Sequence, residues 1–145
     1  MLFKRKIYDK FLAWKTECAG KKALLVEGAR RIGKSTVVEE FAKNEYKSYI
    51  LIDFAKASSD VKEYFQLYLN DLDTFFMLLS VQYGVQLHER DSVIIFDEVQ
   101  LFPKAREAIK YLVADGRYDY METGSLISIK ENVKDIVIPS EERQM

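Results

Sequence analysis

The octet Gly28-Ala29-Arg30-Arg31-Ile32-Gly33-Lys34-Ser35 sets two glycines ahead of a lysine and a hydroxyl residue. That spacing has a mechanical meaning. The glycines let the main chain curl until consecutive N–H groups point inward at phosphate oxygens. The lysine then reaches the outer phosphates, and the serine hydroxyl ligates Mg²⁺. Chance produces the pattern in about half a percent of chains of this length, so the flanks matter. Upstream, Ala23-Leu24-Leu25-Val26 is a short apolar run that reads as a buried parallel strand feeding Gly28. Downstream, Val37, Val38 and Phe41 recur at helical spacing, with Glu39 and Glu40 on the other face. Strand, glycine loop and helix is the setting a phosphate site requires, and the helix start adds its dipole and free N–H groups. The octet and the following Thr36 are the expected nucleotide contacts.

A second signature lies further along. Val93-Ile94-Ile95-Phe96 is an apolar strand that ends in Asp97-Glu98. A carboxylate at such a strand end can hold Mg²⁺ opposite the loop serine, which makes Ser35 and Asp97 the expected metal ligands. Glu98 then faces the terminal phosphate as a general base for an attacking water, with Lys34 as its electrostatic counterpart in catalysis. The bland alternative is a pair of acids capping a turn. A third element, Tyr118-Asp119-Tyr120-Met121-Glu122-Thr123, reads as a strand running into Gly124-Ser125. Thr123 and Ser125 both qualify to contact the terminal phosphate or its water, against the plainer reading of Gly124-Ser125 as a turn. Glu122 needs a partner inside a strand, and Arg117 or a loop arginine is expected to supply it.

Together, residues 28–35, Phe96-Asp97-Glu98-Val99-Gln100 and Thr123-Gly124-Ser125 resemble the prokaryotic AAA-type P-loop ATPases. The likeness is to the group in which a short ATPase domain precedes a C-terminal domain of unknown function. Arg30-Arg31, the Asp-Glu-Val-Gln run, the Thr-Gly-Ser step and the opening Arg5-Lys6-Ile7-Tyr8 each look like that group. The resemblance implies that the octet is a Walker A loop and Asp97-Glu98 a Walker B pair. It implies that Ser125, with Thr123, is the first sensor, and that ATP and Mg²⁺ are bound. Such ATPases continue past this length, so a fragment or a shortened relative is expected. No arginine finger is assignable here, Arg143 included. The finger is then expected from a homo-oligomer or a protein partner.

Composition agrees with one soluble globular domain over residues 1–145. The chain has 48% hydrophobic and 31% charged residues and a formal net charge of −1, which gives no global electrostatic case for nucleic acid. Lys4, Arg5 and Lys6, and again Lys21 and Lys22, are basic clusters of the kind usually left solvated. The one cysteine, Cys18, rules out an internal disulfide and fits a reducing cytoplasm. No apolar run has the length of a signal or of a membrane span, so a cytoplasmic setting is expected. No Asn-Lys-x-Asp run marks guanine specificity, which tilts the base towards adenine.

Elements alternate along the chain. Ile7, Phe11, Trp14 and Cys18 predict an amphipathic helix ending near Gly20, with Ile7 or Tyr8 either packed in the core or touching the base. Tyr49-Ile50-Leu51-Ile52 is a second strand. Val61, Phe65 and Tyr68 mark one helix, and Leu72, Phe75, Phe76 and Leu79 mark the next, closed by Gly84. These aromatics, and Met77 among them, read as core rather than as a base-stacking surface. His88, with no Cys or second His near it, is not read as a metal ligand. Pro103 opens a helix that Gly116 ends. Asp135-Ile136-Val137-Ile138-Pro139 begins a last strand, expected to be incomplete within residues 131–145.

The predicted class is an α/β three-layer sandwich with a parallel sheet of four to five strands and helices on both faces, a P-loop NTPase. Its strand order, 5-1-4-3-2, is implied by the resemblance. The expected function is Mg-dependent binding and hydrolysis of ATP. The alternative is an ATP-responsive switch with little hydrolysis of its own, and a DNA-acting motor has only the basic clusters behind it.

Overall fold

The computed structural model describes residues 2–27, 34–124 and 135–139, without the side chains of residues 2–4, 34–35 and 135–139. The described residues form five α-helices and five strands. They are α1 (Leu2–Cys18), β1 (Ala23–Glu27), α2 (Lys34–Glu45), β2 (Ser48–Asp53), α3 (Ser59–Leu67) and α4 (Leu72–Tyr83). After these come β3 (Ser92–Asp97), a 3₁₀ turn (Val99–Leu101), α5 (Pro103–Asp115), β4 (Asp119–Gly124) and β5 (Asp135–Pro139).

The strands form one sheet in the order β2-β3-β4-β1-β5, which is 5-1-4-3-2 from the other edge. Every pairing is parallel. Strands flanked by helices on both faces have no solvent-facing side, which is why β3 and β4 are buried at all six positions and their sequence does not alternate. The edge strand β2 keeps alternate residues half-buried instead. The final strand pairs with β1 along its whole length, from Ala23 opposite Asp135 to Glu27 opposite Pro139. Pro139 is tolerated because an edge strand leaves one row of N–H groups unused.

Two cores form, one on each face. Leu24, Val26, Val93, Ile95 and Met121 pack against Ile7, Phe11 and Trp14 of α1 and Val37, Val38 and Phe41 of α2. Leu25, Ile50, Ile52, Ile94, Phe96 and Tyr120 pack against Val61, Phe65, Phe75, Phe76, Leu79, Ile109 and Leu112 from α3, α4 and α5. Of the aromatics predicted as core, Phe65, Phe75 and Phe76 are buried, and Tyr68 packs half-buried against them. Phe65 meets Phe54, Phe75, Phe96 and Phe102 at centroid separations of 5.0–5.8 Å, all edge to face.

Met77 differs from expectation, being 53% exposed. The core stripe of α4 runs through Phe75, Phe76 and Leu79, and at 100° per residue position 77 turns away from it. Ile7 and Tyr8 belong to the α1–α2 contact. Ile7 is buried, and Tyr8 sits edge-on to Phe41 with its hydroxyl donating to Glu45.

Helix ends follow local chemistry. Ser58 and Asp71 cap α3 and α4 through side-chain oxygens that accept from Val61 N–H and Thr74 N–H. Gly84 and Gly116 close α4 and α5 in the left-handed conformation. Among the described residues no helix is long and apolar enough to cross a membrane.

Candidate nucleotide site

Parallel α/β sheets place ligands at the carboxyl ends of their strands, and here that edge gathers β1, β4 and β3 side by side. Val26 is opposite Thr123 and Glu27 opposite Gly124, while Phe96 is opposite Glu122. The segment that leaves β1 after Glu27 returns as α2, whose axis begins at Lys34. Residues 28–33 and Ser125 lie outside the described residues, as do the side chains of Lys34 and Ser35. Thr36 is exposed on the first turn of α2. Arg143 also falls outside the described part.

Asp97 and Glu98 are described fully and are nearly buried, at 7% and 9% exposure. Asp97 is held from both neighbouring strands. Its main-chain carbonyl accepts from Phe54 N–H just beyond β2 at 3.0 Å, and its Oδ1 accepts from the Thr123 hydroxyl of β4 at 2.6 Å. That same hydroxyl oxygen accepts from Glu98 N–H at 2.9 Å. One threonine therefore ties both acids to β4, the strand between β3 and β1.

Between the candidates Thr123 and Ser125, Thr123 has its hydroxyl hydrogen committed to Asp97. It is a fastening within the acid pair.

The chain reverses sharply at Glu98. Its backbone sits at φ 57°, ψ 49°, a left-handed conformation uncommon for a residue with a side chain. The 3₁₀ turn that follows is closed by Leu101 N–H to Glu98 C=O and Phe102 N–H to Val99 C=O, both 3.0 Å. Glu98 stands at the N-cap of this turn but its side chain makes no capping hydrogen bond to it. Its Oε1 instead accepts from Gln100 Nε2 at 2.8 Å. The amide is oriented by that contact, since a carboxylate oxygen can only accept. Strained non-glycine residues of this kind gather at working sites.

On the opposite face of β4, Glu122 is fully buried with Arg106 of α5 at 3.5 Å. Of the arginines expected for that role, Arg117 instead pairs with Asp73 at 2.7 Å and Asp115 at 3.2 Å near the start of β4, while the loop residues Arg30 and Arg31 lie outside the described residues. The correction is topological. Arg117 precedes β4 while Glu122 lies towards its end, and α5 runs back across the sheet to present Arg106 there. Gln100 and Arg106 are the two residues near the site that sequence reading left without a role. Gln100 was legible as part of the Asp-Glu-Val-Gln run, but no local signal pairs Arg106 with Glu122.

The residues fit a nucleotide and a divalent cation in kind. Asp97 offers a hard oxygen donor at the end of a buried strand, and α2, the helix that follows β1, begins at Lys34 with main-chain N–H groups that lack intrahelical partners. A parallel sheet in this order, with a helix following the loop after its first strand, is a P-loop NTPase fold. The chain matches the family model described as AAA domain over residues 20–136, more than half its length. It belongs to that family, and so to a nucleotide-binding, ATPase-type class of proteins. A comparison with curated proteins found no match.

Proposed function

We propose that this chain works as a single domain that binds ATP together with Mg²⁺ and hydrolyses the terminal phosphate. One observation carries the reading: Asp97 and Glu98 are tied by one Thr123 hydroxyl on the strand that adjoins β1. The main chain of Gly28, Ala29, Arg30, Arg31, Ile32 and Gly33 cradles the phosphates, and Thr36 extends the contact along the first turn of α2. Lys34 stabilises charge on the transferred phosphoryl group. Ser35 and Asp97 hold the metal, which when bound neutralises and orients the outer phosphates. Glu98 takes the proton of the attacking water, and Ser125 contacts the terminal phosphate.

Titration with ATP, ADP and GTP, with and without Mg²⁺, followed by phosphate release, tests this. Lys34→Ala should abolish measurable affinity. Glu98→Gln should leave affinity within about twofold and cut turnover by roughly 100-fold or more. Loss of affinity without loss of rate in Glu98→Gln refutes the assignment.

A second reading makes the protein an ATP-responsive switch whose arginine comes from another subunit or partner. It is favoured by the engagement of three described arginines elsewhere. Arg90 bonds Asp119 and Gly116 C=O, Arg106 meets Glu122, and Arg117 meets Asp73 and Asp115. Rapid single-turnover phosphate release by dilute monomer would exclude it.

A further inference from the structure

Gln100 stands two residues beyond Glu98, inside the 3₁₀ turn, and is half-buried. Its Nε2 donates to Glu98 Oε1 at 2.8 Å, whereas its own Oε1 is buried and accepts no hydrogen bond among the described residues. A buried amide carbonyl without a donor costs on the order of 1–3 kcal/mol. The contact with the Glu98 carboxylate fixes this orientation, since the flipped amide would set two acceptors face to face. The orientation makes sense if the donor side is what matters. Val99, between the two residues, is fully buried, so the turn cannot swing without exposing it. Glu98 is thereby gripped at both ends. Its N–H is fixed by Thr123 and its carboxylate by Gln100, across a backbone in the left-handed region.

We propose that Gln100 is a positioning residue for the Glu98 carboxylate, holding it in the one orientation from which it can take a proton from water. The inference rests on the hydrolytic reading above and names a residue which that reading does not require. In this role Gln100 acts through Glu98 rather than on the substrate.

Two variants test it, Gln100→Leu, which removes the donor at similar size, and Gln100→Glu, which replaces it with an acceptor of the same shape. ATP affinity is measured first, by titration. Single-turnover and steady-state phosphate release are then followed from about pH 5 to pH 9. In Gln100→Leu, kcat should fall roughly 10- to 100-fold, the usual consequence of a misplaced catalytic group, with KM and affinity within about twofold of wild type.

In Gln100→Glu two carboxylates face each other, so at pH 8 the rate should be low. As the pH drops to about 5 to 6 the pair holds one proton between them, and the introduced acid donates as the glutamine did. Activity relative to wild type should then recover. A purely structural role would not produce that pH-dependent rescue.

Wild-type kcat and an unchanged profile in both variants overturn the proposal while leaving the hydrolytic reading intact, as does a rise in KM with kcat preserved. If wild-type protein binds ATP yet releases no phosphate even in single turnover, the hydrolytic reading fails and this role fails with it. Should Gln100→Leu lose ATP binding, the isosteric Gln100→Glu variant alone decides through its pH response.

Discussion

At the scale of single residues, Thr123 shows how one hydroxyl can organise an acid pair. It donates to a carboxylate and accepts from the next residue's N–H, so both faces of the oxygen are used. Thr123→Val keeps shape and β-branching but loses both bonds, one of them to a charged group. The expected destabilisation is about 2–4 kcal/mol by urea unfolding, with Thr123→Ser within about 1 kcal/mol of wild type. Equal effects for the two substitutions would show that the hydroxyl is incidental. Gly20 is constrained by its backbone and by a neighbouring side chain. It sits at φ +85°, and an added Cβ would lie 2.6 Å from the Arg90 guanidinium, itself bonded to Asp119 and Gly116 C=O. Gly84, at φ +65°, faces open space. Gly84→Ala should therefore cost only backbone strain of about 1 kcal/mol, and Gly20→Ala clearly more, roughly 2–3 kcal/mol, because Arg90 must move. Paired thermal melts measure the difference.

At the scale of elements, α5 is fastened to β4 by an ion pair inside the apolar layer. The Glu122 side chain has no exposure and the Arg106 side chain 10%, at a separation of 3.5 Å. Taking both charges out of water costs several kcal/mol, which their attraction and surrounding contacts must offset. Removing the cation alone leaves a buried carboxylate deprived of its guanidinium. Arg106→Met should cost about 3–5 kcal/mol, and the double change with Glu122→Leu should restore most of it. Additive losses in that double-mutant cycle would mean that the two groups do not interact.

At the scale of the whole molecule, the clearest consequence is alkaline lability. Burial, reinforced by the hydrogen-bonded Asp119 carboxylate, holds the Tyr46 phenol far above the ordinary tyrosine range. Burial does the same to Tyr120 at the centre of the sheet. Burial and Glu39 push Tyr49 up to about 12. In the unfolded chain these phenols titrate near about 10. Above that pH the unfolded state sheds protons that the folded state keeps. Stability is therefore full below about pH 10 and falls as pH rises, by up to about 1.4 kcal/mol per pH unit for each of Tyr46 and Tyr120. Urea midpoints between pH 8 and 11 measure the slope, and Tyr46→Phe should make it shallower. An unchanged slope would remove Tyr46 from the account.

Local rules carried a good deal of this protein. Short apolar runs marked β1, β2 and β3, the mixed run Tyr118–Thr123 marked β4, and Gly84 and Gly116 marked two helix ends, while the octet with Asp97-Glu98 set the expectation of where nucleotide chemistry sits. Each of those signals depends on neighbours within a few positions, where periodicity, capping and main-chain freedom act. What the sequence could not supply was contact across the sheet. That Thr123 fastens Asp97 and Glu98, that Arg106 rather than Arg117 meets Glu122, and that Met77 turns outward all depend on how separate elements come together. Local propensity is blind to such distances, because a side chain's partner is chosen by the packing of two layers against one twisted sheet.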